Sequence, residues 1–264
     1  MEIKLENVCY NDILRKVNID IELGTITAII GSNGSGKSTL LNILVNKKKP
    51  TDGSIIVDGD ISAVMVNQFT DDDFFEPSII SEMKNILNKK KFDSDEKINK
   101  HILTAIKMSG LTEDIINKDP LELSTSEMKK LSLAKALSVN PDLLILDEPT
   151  IGFDLQDKMN LVKVLKTIKR YYSKTIVIAS QDVDFIHLVA DNVVAMNNGK
   201  VILKGNKYDV FKNIDMLKAN DISIPRIIMF ENKVLKDKNI KLGYRDEIND
   251  LVKDILRNRN WEVE

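Results

Sequence analysis

Apolar and polar side chains alternate along the first part of the chain. The segments EIKLENV and VNIDIEL place apolar residues at every second position, and TITAII is an almost continuous apolar run. A period of two is typical of a strand with one buried face, and a short apolar run is typical of a strand buried on both faces. GSIIVDGD and ISAVMVN continue this pattern. The N-terminal part is therefore predicted to consist mainly of β-strands separated by turns.

The pattern becomes helical between about residues 74 and 140, where β-branched runs are few. We interpret this stretch as a helical insertion. Beyond it, DLLILDEPT is an apolar run ending in acids, which is typical of a parallel strand. DLQDKMNLVKVLKTIKRYY is predicted to be an amphipathic helix whose apolar face contains Met159, Val162, Leu165 and Ile168 or Lys169.

Two further elements complete the pattern. KTIVIASQD reads as a buried strand, and VVAMNNGKVILKG as a hairpin with Asn-Gly at its turn. Strands alternating with helices predict an α/β fold with a mainly parallel core sheet. From about Asn206 the chain becomes polar and helical, with breaks at Pro225 and Gly243. We predict a main domain over residues 1–205 and a C-terminal appendage packed on it over residues 206–264.

Composition narrows the possible functions. The chain has 264 residues, 30% charged and 43% hydrophobic, with a net charge of −2, so general affinity for nucleic acid or anionic lipid is not expected. A single cysteine, Cys9, excludes an internal disulfide and a thiolate metal cluster, and fits a reducing compartment. No apolar run approaches the roughly 18 residues of a membrane helix. The chain is predicted to be soluble by itself.

A glycine-rich loop connects the apolar TITAII segment to a helical pattern. GSNGSGKST, residues 31–39, matches G-x-x-x-x-G-K-[ST] at Gly31, Gly36, Lys37 and Ser38. Glycines let successive backbone N–H groups point at phosphate oxygens, and the helix adds its positive end. In such a loop the lysine reaches the β- and γ-phosphates and the Ser38 hydroxyl ligates Mg²⁺. The alternative, a flexible glycine loop, does not explain the strand and helix around it.

A pair of acids follows the apolar run LLILDE. Asp147 ends this run and can hold Mg²⁺ through water. Glu148 is placed to polarise an attacking water as a general base. A solvated strand end is the alternative, but it leaves the complete phosphate loop without an acid.

The order of these segments resembles that of ATP-binding-cassette ATPases over residues 1–205. It comprises the phosphate loop, NQ after a strand, a helical insertion, an LS loop before a helix, LDEPT, and GFD. The resemblance implies a P-loop NTPase fold with an N-terminal antiparallel β subdomain, and a reaction that hydrolyses ATP with Mg²⁺. In this family two cassettes meet head to tail, and each ATP lies between one phosphate loop and the LSGGQ loop of the other protomer.

The resemblance also implies roles for single residues. Tyr10 would stack on adenine, although a core tyrosine is the alternative. Gln68 would touch Mg²⁺ and the attacking water. Asp154 would cross the dimer interface; the alternative, a cap for the helix that follows, is compatible with that role. The implied nucleotide-binding residues are Tyr10, Asn33, Gly34, Ser35, Gly36, Lys37, Ser38, Thr39 and Ser124; the metal residues are Ser38, Gln68 and Asp147; the catalytic residues are Glu148, Gln68 and Gln181.

Two stretches resemble a subgroup, the energy-coupling-factor and cobalt or nickel importers. These are NQFTDDDFFEPSIISEM and the tail ISIPRIIMFENKVLKDKNIKLGYRDEINDLVKDIL. The subgroup implies uptake of a vitamin or a transition metal ion, an integral membrane coupling subunit and a substrate-binding membrane subunit. It also implies a peripheral place on the cytoplasmic face of the cell membrane. Partner helices would dock around Phe74, Phe75 and Ile79, with packing inside the insertion as the alternative.

The sequence departs from the family pattern at three places. LSGGQ is replaced by LSTSE, residues 123–127, which retains Ser124 but loses both glycines and exchanges glutamine for Glu127. The histidine expected after TIVIAS is Gln181, which can donate a hydrogen bond but cannot become cationic. The last position of the subgroup's DDQ is Asp73.

The surroundings of these departures carry expectations of their own. The helix after LSTSE is predicted to bury a stripe of Met128, Leu131, Ala134 and Leu137 and to keep Lys129 and Lys130 on its polar side. Neither His187 nor His101 is expected to replace Gln181, because both fit surface or packing positions on helices.

Together the departures favour an unequal ATPase pair. A second cassette with an intact signature would complete this chain's phosphate loop, while LSTSE would face the partner's nucleotide. The chain is therefore expected to form a heterodimer rather than a homodimer. A nucleotide-dependent regulatory or assembly module without a membrane partner is the alternative. A P-loop kinase or GTPase is disfavoured, since no base-reading Asn-Lys-x-Asp motif is present.

Overall fold

The computed structural model describes residues 2–68, 74–87, 94–238 and 250–253. In chain order its strands are β1 (Glu2–Tyr10), β2 (Leu14–Glu22), β3 (Ile26–Ile30), β4 (Asp52–Val57), β5 (Ala63–Val66), β6 (Leu143–Asp147), β7 (Thr175–Ala179), β8 (Asn192–Asn197) and β9 (Lys200–Asn206). Its α-helices are α1 (Lys37–Leu44), α2 (Ile79–Leu87), α3 (Asp95–Met108), α4 (Thr125–Ser138), α5 (Leu155–Tyr172), α6 (Val183–Val189), α7 (Lys207–Phe211), α8 (Ile214–Ala219) and α9 (Arg226–Lys238).

The strands form two sheets. An antiparallel sheet has the order β2-β1-β4, and a six-stranded sheet has the order β5-β6-β7-β3-β8-β9. The pairs from β5 to β8 are parallel, and β9 pairs antiparallel with β8 through the Asn198-Gly199 turn. An α/β fold with a mainly parallel core sheet and an antiparallel β subdomain is therefore confirmed.

The parallel strands β3, β6 and β7 are buried at every position, which explains their unbroken apolar runs. One face of the large sheet packs against α5 and α6. The other face packs against α1 and the antiparallel sheet, where Val17, Ile19 and Ile21 alternate inward from β2. All three strands end at the same edge of the sheet, and the loops after β3 and β6 carry the predicted chemistry.

The helices α2, α3 and α4, which follow β5 and precede β6 in the chain, pack around a third cluster of buried residues. Phe74 and Ile79 belong to it, with 8% and 0% of their surface exposed, whereas Phe75 is 86% exposed. Of the three residues predicted to form a docking surface, two are thus internal packing residues. Short 3₁₀ turns at Glu113–Asn117 and Pro120–Glu122 connect α3 to α4.

Two predicted helix faces are wrong in part. On α5, Leu161 is buried and Met159 is exposed, while Val162, Leu165 and Ile168 are buried as predicted. On α4, Lys129 is 7% exposed and lies in the interior, although it was predicted on the polar side. The reason is that α4 runs between the insertion and the large sheet and is buried on several sides.

The C-terminal part begins with α7, α8 and α9, with Pro225 directly before α9 and residues 250–253 again helical. Val210, Phe211, Leu217 and Ile228 join the cluster under the large sheet. Asp73 and Gly243, on which two sequence interpretations depend, lie outside the described residues. Within the described ranges, no helix has the length and apolar character needed to cross a membrane.

Candidate active site

The phosphate loop leaves buried strand β3 and enters α1 through Gly36. Gly36 has a φ of 101°, and a Cβ there would lie 2.7 Å from Cδ2 of Leu14. Both the left-handed backbone and the lack of space require glycine. The loop therefore brings its N–H groups and the N-terminus of α1 to one edge of the sheet, as the sequence predicts.

Lys37 is buried inside the curl of this loop. Its Nζ donates to the carbonyl oxygens of Gly31 at 2.8 Å and Ser32 at 3.1 Å. Burial lowers the pKa of its ammonium group from the ordinary value, and the charges on Glu148 and Asp147 oppose that shift. The side chain is thus held near the position where phosphate charge would be met.

The β8–β9 hairpin supports the loop from behind. Gly199 donates its N–H to the carbonyl oxygen of Ser35 at 3.1 Å. Gly199 has a φ of 73°, and a Cβ on it would lie 2.0 Å from the carbonyl oxygen of Ile13. The turn is therefore close-packed against the two segments that shape the loop.

Asp147 ends β6 and receives a hydrogen bond from the Ser38 hydroxyl. Burial raises the pKa of its carboxyl, and the bond from Ser38 opposes that shift. Oδ1 is buried, and no described residue hydrogen-bonds to it. A hydroxyl next to a carboxylate oxygen without a partner suits Mg²⁺, which prefers oxygen ligands. Ser38 and Asp147 therefore fit the metal role that the sequence predicts.

Glu148 is held in an uncommon backbone conformation with a φ of 46°. Its N–H donates to the carbonyl oxygen of Ala179 at 2.8 Å, and its Oε2 accepts hydrogen bonds from the Ser180 hydroxyl and the Gln181 N–H, each at 3.1 Å. Oε1 is buried and, among the described residues, has no hydrogen-bond partner. One carboxylate oxygen is thus fixed by the end of β7, and the other remains available.

Gln181 contacts the phosphate loop directly: its Nε2–H donates to Oδ1 of Asn33 at 2.6 Å. The result is a cleft of about 380 Å³. Its lining is formed by Ile13, Asn33, Gly34, Ser35, Gly36, Lys37, Ser38, Thr39, Gln68, Glu148 and Gln181. Five separate stretches of the chain therefore meet at this cleft; four of them contain residues selected from the sequence, and Ile13 is the fifth.

Two predicted site residues lie elsewhere. Tyr10 packs at the edge of the core, and the Nζ of Lys48 lies 5.0 Å from the centre of its ring. Ile13, which sequence reasoning did not select, lines the cleft instead. The adenine-stacking role of Tyr10 stays a prediction. Ser124 caps α4 and is not one of the cleft-lining residues, so its role at a partner's nucleotide also stays a prediction.

The LSTSE loop is closed by a capping box. Glu127 Oε2 accepts hydrogen bonds from the Ser124 hydroxyl at 2.6 Å and the Ser124 N–H at 2.9 Å, while Glu127 N–H is directed at Ser124 Oγ at 3.3 Å. These bonds from Ser124 lower the pKa of the Glu127 carboxyl. The one surviving hydroxyl of the signature is therefore committed inside the chain.

The next residue of the loop is tied to α5. Ser126 donates its hydroxyl to Asp157 Oδ2 at 2.6 Å, and Lys130 Nζ binds Asp157 Oδ1 at 2.6 Å. Asp154 caps α5 by accepting a hydrogen bond from the Asp157 N–H at 2.7 Å. The helix cap predicted for Asp154 is thus present.

Lys129 is a site residue that sequence reasoning missed. Its Nζ lies 3.4 Å from the carbonyl oxygen of Glu148. Burial lowers the pKa of its ammonium group, and the charges on Glu148 and Asp147 oppose that shift. The available signal in the sequence was a lysine between two apolar turns of a helix. The predicted apolar stripe of α4 did not include this position, so Lys129 was expected to face solvent. His187, by contrast, packs near Tyr208 and Phe211 within the core.

Comparison with known proteins gives concordant matches. The family profile described as ABC transporter matches residues 14–151. The energy-coupling factor transporter ATP-binding protein EcfA2 of Clostridium perfringens is 32% identical over 255 residues, covering 90% of this chain and 88% of that protein. EcfA2 of Staphylococcus aureus is 30% identical over 257 residues, covering 88% and 89%.

Solved structures agree with these sequence matches. CbiO1 of Clostridium perfringens, described as part of the ABC transporter complex cbiONQ, superposes with a TM-score of 0.74 at 31% identity, covering 87% of this chain and 98% of that one. The cassette MJ0796, in a dimeric post-hydrolysis state with ADP and Pi, superposes with a TM-score of 0.69 at 26% identity, covering 77% and 98%.

Proposed function

Because this chain belongs to the ABC transporter family, we propose that it is the ATP-binding and ATP-hydrolysing subunit of an energy-coupling-factor-type importer. Bound at the cytoplasmic face of the cell membrane, it would power the uptake of a vitamin or a transition metal ion. The observation that carries the proposal is the convergence of the phosphate loop, Gln68, Glu148 and Gln181 on one cleft. The similarity to EcfA2 and CbiO1 supports the transporter class.

In the proposed reaction the backbone N–H groups of the loop and the Lys37 ammonium bind the β- and γ-phosphates. Ser38 and Asp147 would hold Mg²⁺, which when bound supplies charge neutralisation at these phosphates. Gln68 lies on the cleft wall where it can orient a water molecule. Glu148 accepts the proton of that water through its free carboxylate oxygen, and Gln181 can donate a hydrogen bond to the γ-phosphate.

An integral membrane coupling subunit would dock beside the insertion. A groove of about 340 Å³ lies between β5, α2 and α4, and its lining includes Met65, Ile86, Ala136 and Lys135. Gln68 lies two residues after the end of β5, so a subunit that docks in this groove and displaces β5 would also move Gln68 in the cleft. Phe75, which precedes α2 and is 86% exposed, is a described apolar side chain that such a partner could cover.

The second cassette would be a different chain. The hydroxyl of Ser124 is committed to Glu127, and Glu127 also places a carboxylate where a phosphate would approach. Both features weaken this signature loop toward a partner's ATP, whereas the chain's own cleft retains Lys37, Asp147 and Glu148. These contacts support an unequal pair in which the better hydrolysis occurs at this chain's phosphate loop.

Affinity purification from membranes tests the proposal. The tagged chain should co-purify with an integral membrane subunit and a second cassette, and the complex should hydrolyse MgATP. Glu148→Gln should reduce that rate by about 10² or more while ATP still binds, since a general base contributes about 10² to 10⁴. Purification without any membrane subunit would instead favour a nucleotide-dependent regulatory or assembly module.

A further inference from the structure

We infer that Lys129 is a positioning residue for hydrolysis, which holds Glu148 by its backbone carbonyl and so keeps the carboxylate directed into the cleft. The inference rests on the proposed ATPase function of this cleft. Lys129 does not line the cleft itself, and so it acts through Glu148 rather than on the nucleotide.

The contact joins two different parts of the molecule. Lys129 lies one turn into α4, the helix that starts at the LSTSE loop, and Glu148 follows β6 of the large sheet. The Lys129 side chain is 7% exposed, so it cannot swing into solvent without opening the interface. Its Nζ is 3.4 Å from the Glu148 carbonyl oxygen.

The backbone of Glu148 needs such support. Its φ of 46° is a conformation that residues with a side chain rarely adopt, and it persists only where the surroundings hold it. The Glu148 N–H is bound by the carbonyl oxygen of Ala179. On the other side, the Glu148 carbonyl oxygen accepts from the Ile151 N–H at 3.3 Å and from Lys129. Of these two donors to the Glu148 carbonyl oxygen, Lys129 is the one that comes from another element, α4.

Charge also makes Lys129 part of the site. Asp147 and Glu148 are buried acids, and Lys37 and Lys129 are the buried lysines whose charges interact with both of them. Removing one member of a buried charged group leaves the others uncompensated. Lys37 donates to carbonyl oxygens of the phosphate loop, whereas Lys129 donates to the Glu148 carbonyl from α4, so the two lysines balance the acids from different elements.

The test compares Lys129→Met and Lys129→Arg with the control Lys207→Met. Lys207 is similarly buried, at 6% exposed, and its Nζ donates to the backbone carbonyl of His187 at 2.8 Å; neither residue lines the cleft. In the assembled complex, Lys129→Met should lower kcat by about 10- to 100-fold, as expected for a displaced catalytic group. KM for MgATP should change less than about twofold. Lys129→Arg should recover most of kcat.

The control separates positioning from folding. Both methionine variants should lower the melting temperature by similar amounts, while only Lys129→Met lowers kcat. A kcat within twofold of wild type for Lys129→Met, or an equal loss of kcat in Lys207→Met, would overturn the inference.

A crystal structure of Lys129→Met gives a readout that does not depend on turnover. Glu148 should leave its positive φ, and Oε2 should lose its contacts to Ser180 and Gln181. If wild type hydrolyses no ATP in any assembly, the proposed function fails, and this structure still decides whether Lys129 holds the Glu148 geometry. Retention of the Glu148 geometry in the variant would refute it.

Discussion

Gln181 stands at the position where the family resemblance leads one to expect histidine, and its side chain is used differently. Its amide group donates to Asn33 across the cleft mouth, and its N–H fixes Glu148. A glutamine therefore keeps the wall of the cleft and the acid in place. In the proposed reaction it would supply only a neutral donor for the charge that develops in the transition state.

We expect Gln181→His to raise kcat of the complex. Histidine can offer a cationic donor, and a single transition-state donor is worth up to about 10² to 10³ in rate. Steady-state ATPase assays at several pH values would measure the gain. Gln181→Ala is the matched variant, because it keeps the N–H bond to Glu148 and removes only the amide. A histidine variant no faster than wild type would show that Gln181 causes no loss of rate.

Residues whose roles come from local spacing could be predicted from the sequence, and the others could not. Gly36, Lys37 and Ser38 follow one another on a single loop, so their motif fixes their relation. The contact of Lys129 with Glu148 depends on how α4 packs against β6, and no local pattern specifies that packing. The same reason explains why Ile13 rather than Tyr10 reaches the cleft.

At the scale of elements, Asp157 ties α4 to α5. It accepts hydrogen bonds from Ser126 and Lys130, whose side chains are partly buried. Asp157→Ala should lower the free energy of unfolding by about 1–3 kcal/mol, because a partly buried cation loses its partner. Chemical denaturation would measure this. Asp209→Ala, which breaks the exposed pair with Lys212, should change stability by less than about 0.5 kcal/mol.

The contact between Lys130 and Asp157 also determines how the stability of the protein depends on pH. The hydrogen bond from Lys130 holds the pKa of the Asp157 carboxyl below its ordinary value. Its contribution should therefore be complete above the unfolded value of about 4 and disappear as pH falls through the lowered native value. Equal stabilities of wild type and Asp157→Ala at neutral pH would contradict this role.

The hairpin β8–β9 should control the phosphate loop. Gly199→Ala places a Cβ against the carbonyl of Ile13, and it disturbs the bond from Gly199 N–H to Ser35. We expect weaker ATP binding together with lower stability. Gly110→Ala is the control, since Gly110 also has a positive φ, of 86°, but a Cβ there meets nothing within 4 Å. It should lose only about 1–2 kcal/mol of stability and keep its ATP affinity.

Titration with a fluorescent ATP analogue separates the two glycine variants. An unchanged dissociation constant for Gly199→Ala would mean that the hairpin does not shape the loop.

The hairpin itself could be predicted from Asn-Gly, but its contact with residues 13 and 35 could not, because they are distant in sequence. The type of each element was predictable from its periodicity. The prediction of which face is buried was wrong where a helix has neighbours on several sides, as for Lys129 on α4.

At the scale of the whole molecule, the LSTSE loop is the basis of the proposed unequal pair. Restoring Thr125→Gly, Ser126→Gly and Glu127→Gln should raise the ATPase rate of the complex, because the loop then presents N–H groups and a neutral side chain to the partner's nucleotide. ATPase assays of the purified complex would measure this. Glutamine at position 127 retains a capping box, so the single variant Glu127→Gln isolates the effect of charge.

The chain purified alone gives the complementary measurement. As a homodimer it would combine both weak features in each site, so its rate should be well below that of the complex. Brisk hydrolysis by the chain alone, or no gain from the restored loop, would contradict the unequal pair. Ile151 and Leu155, exposed beside the cap of α5, are apolar positions that a second cassette could cover.

The two ends of α4 are fastened to different parts of the molecule. Its first half is joined to the large sheet and α5 through Lys129 and Lys130, and its second half is joined to α2 through the pair of Lys135 with Glu82 at 2.7 Å. Such a helix transmits force in both directions. If ATP binding in the cleft changes the affinity of the insertion for a membrane subunit, then binding of that subunit must change the ATP affinity by the same factor. In the proposed importer, the state of the membrane subunit would thus affect how tightly the cleft binds ATP.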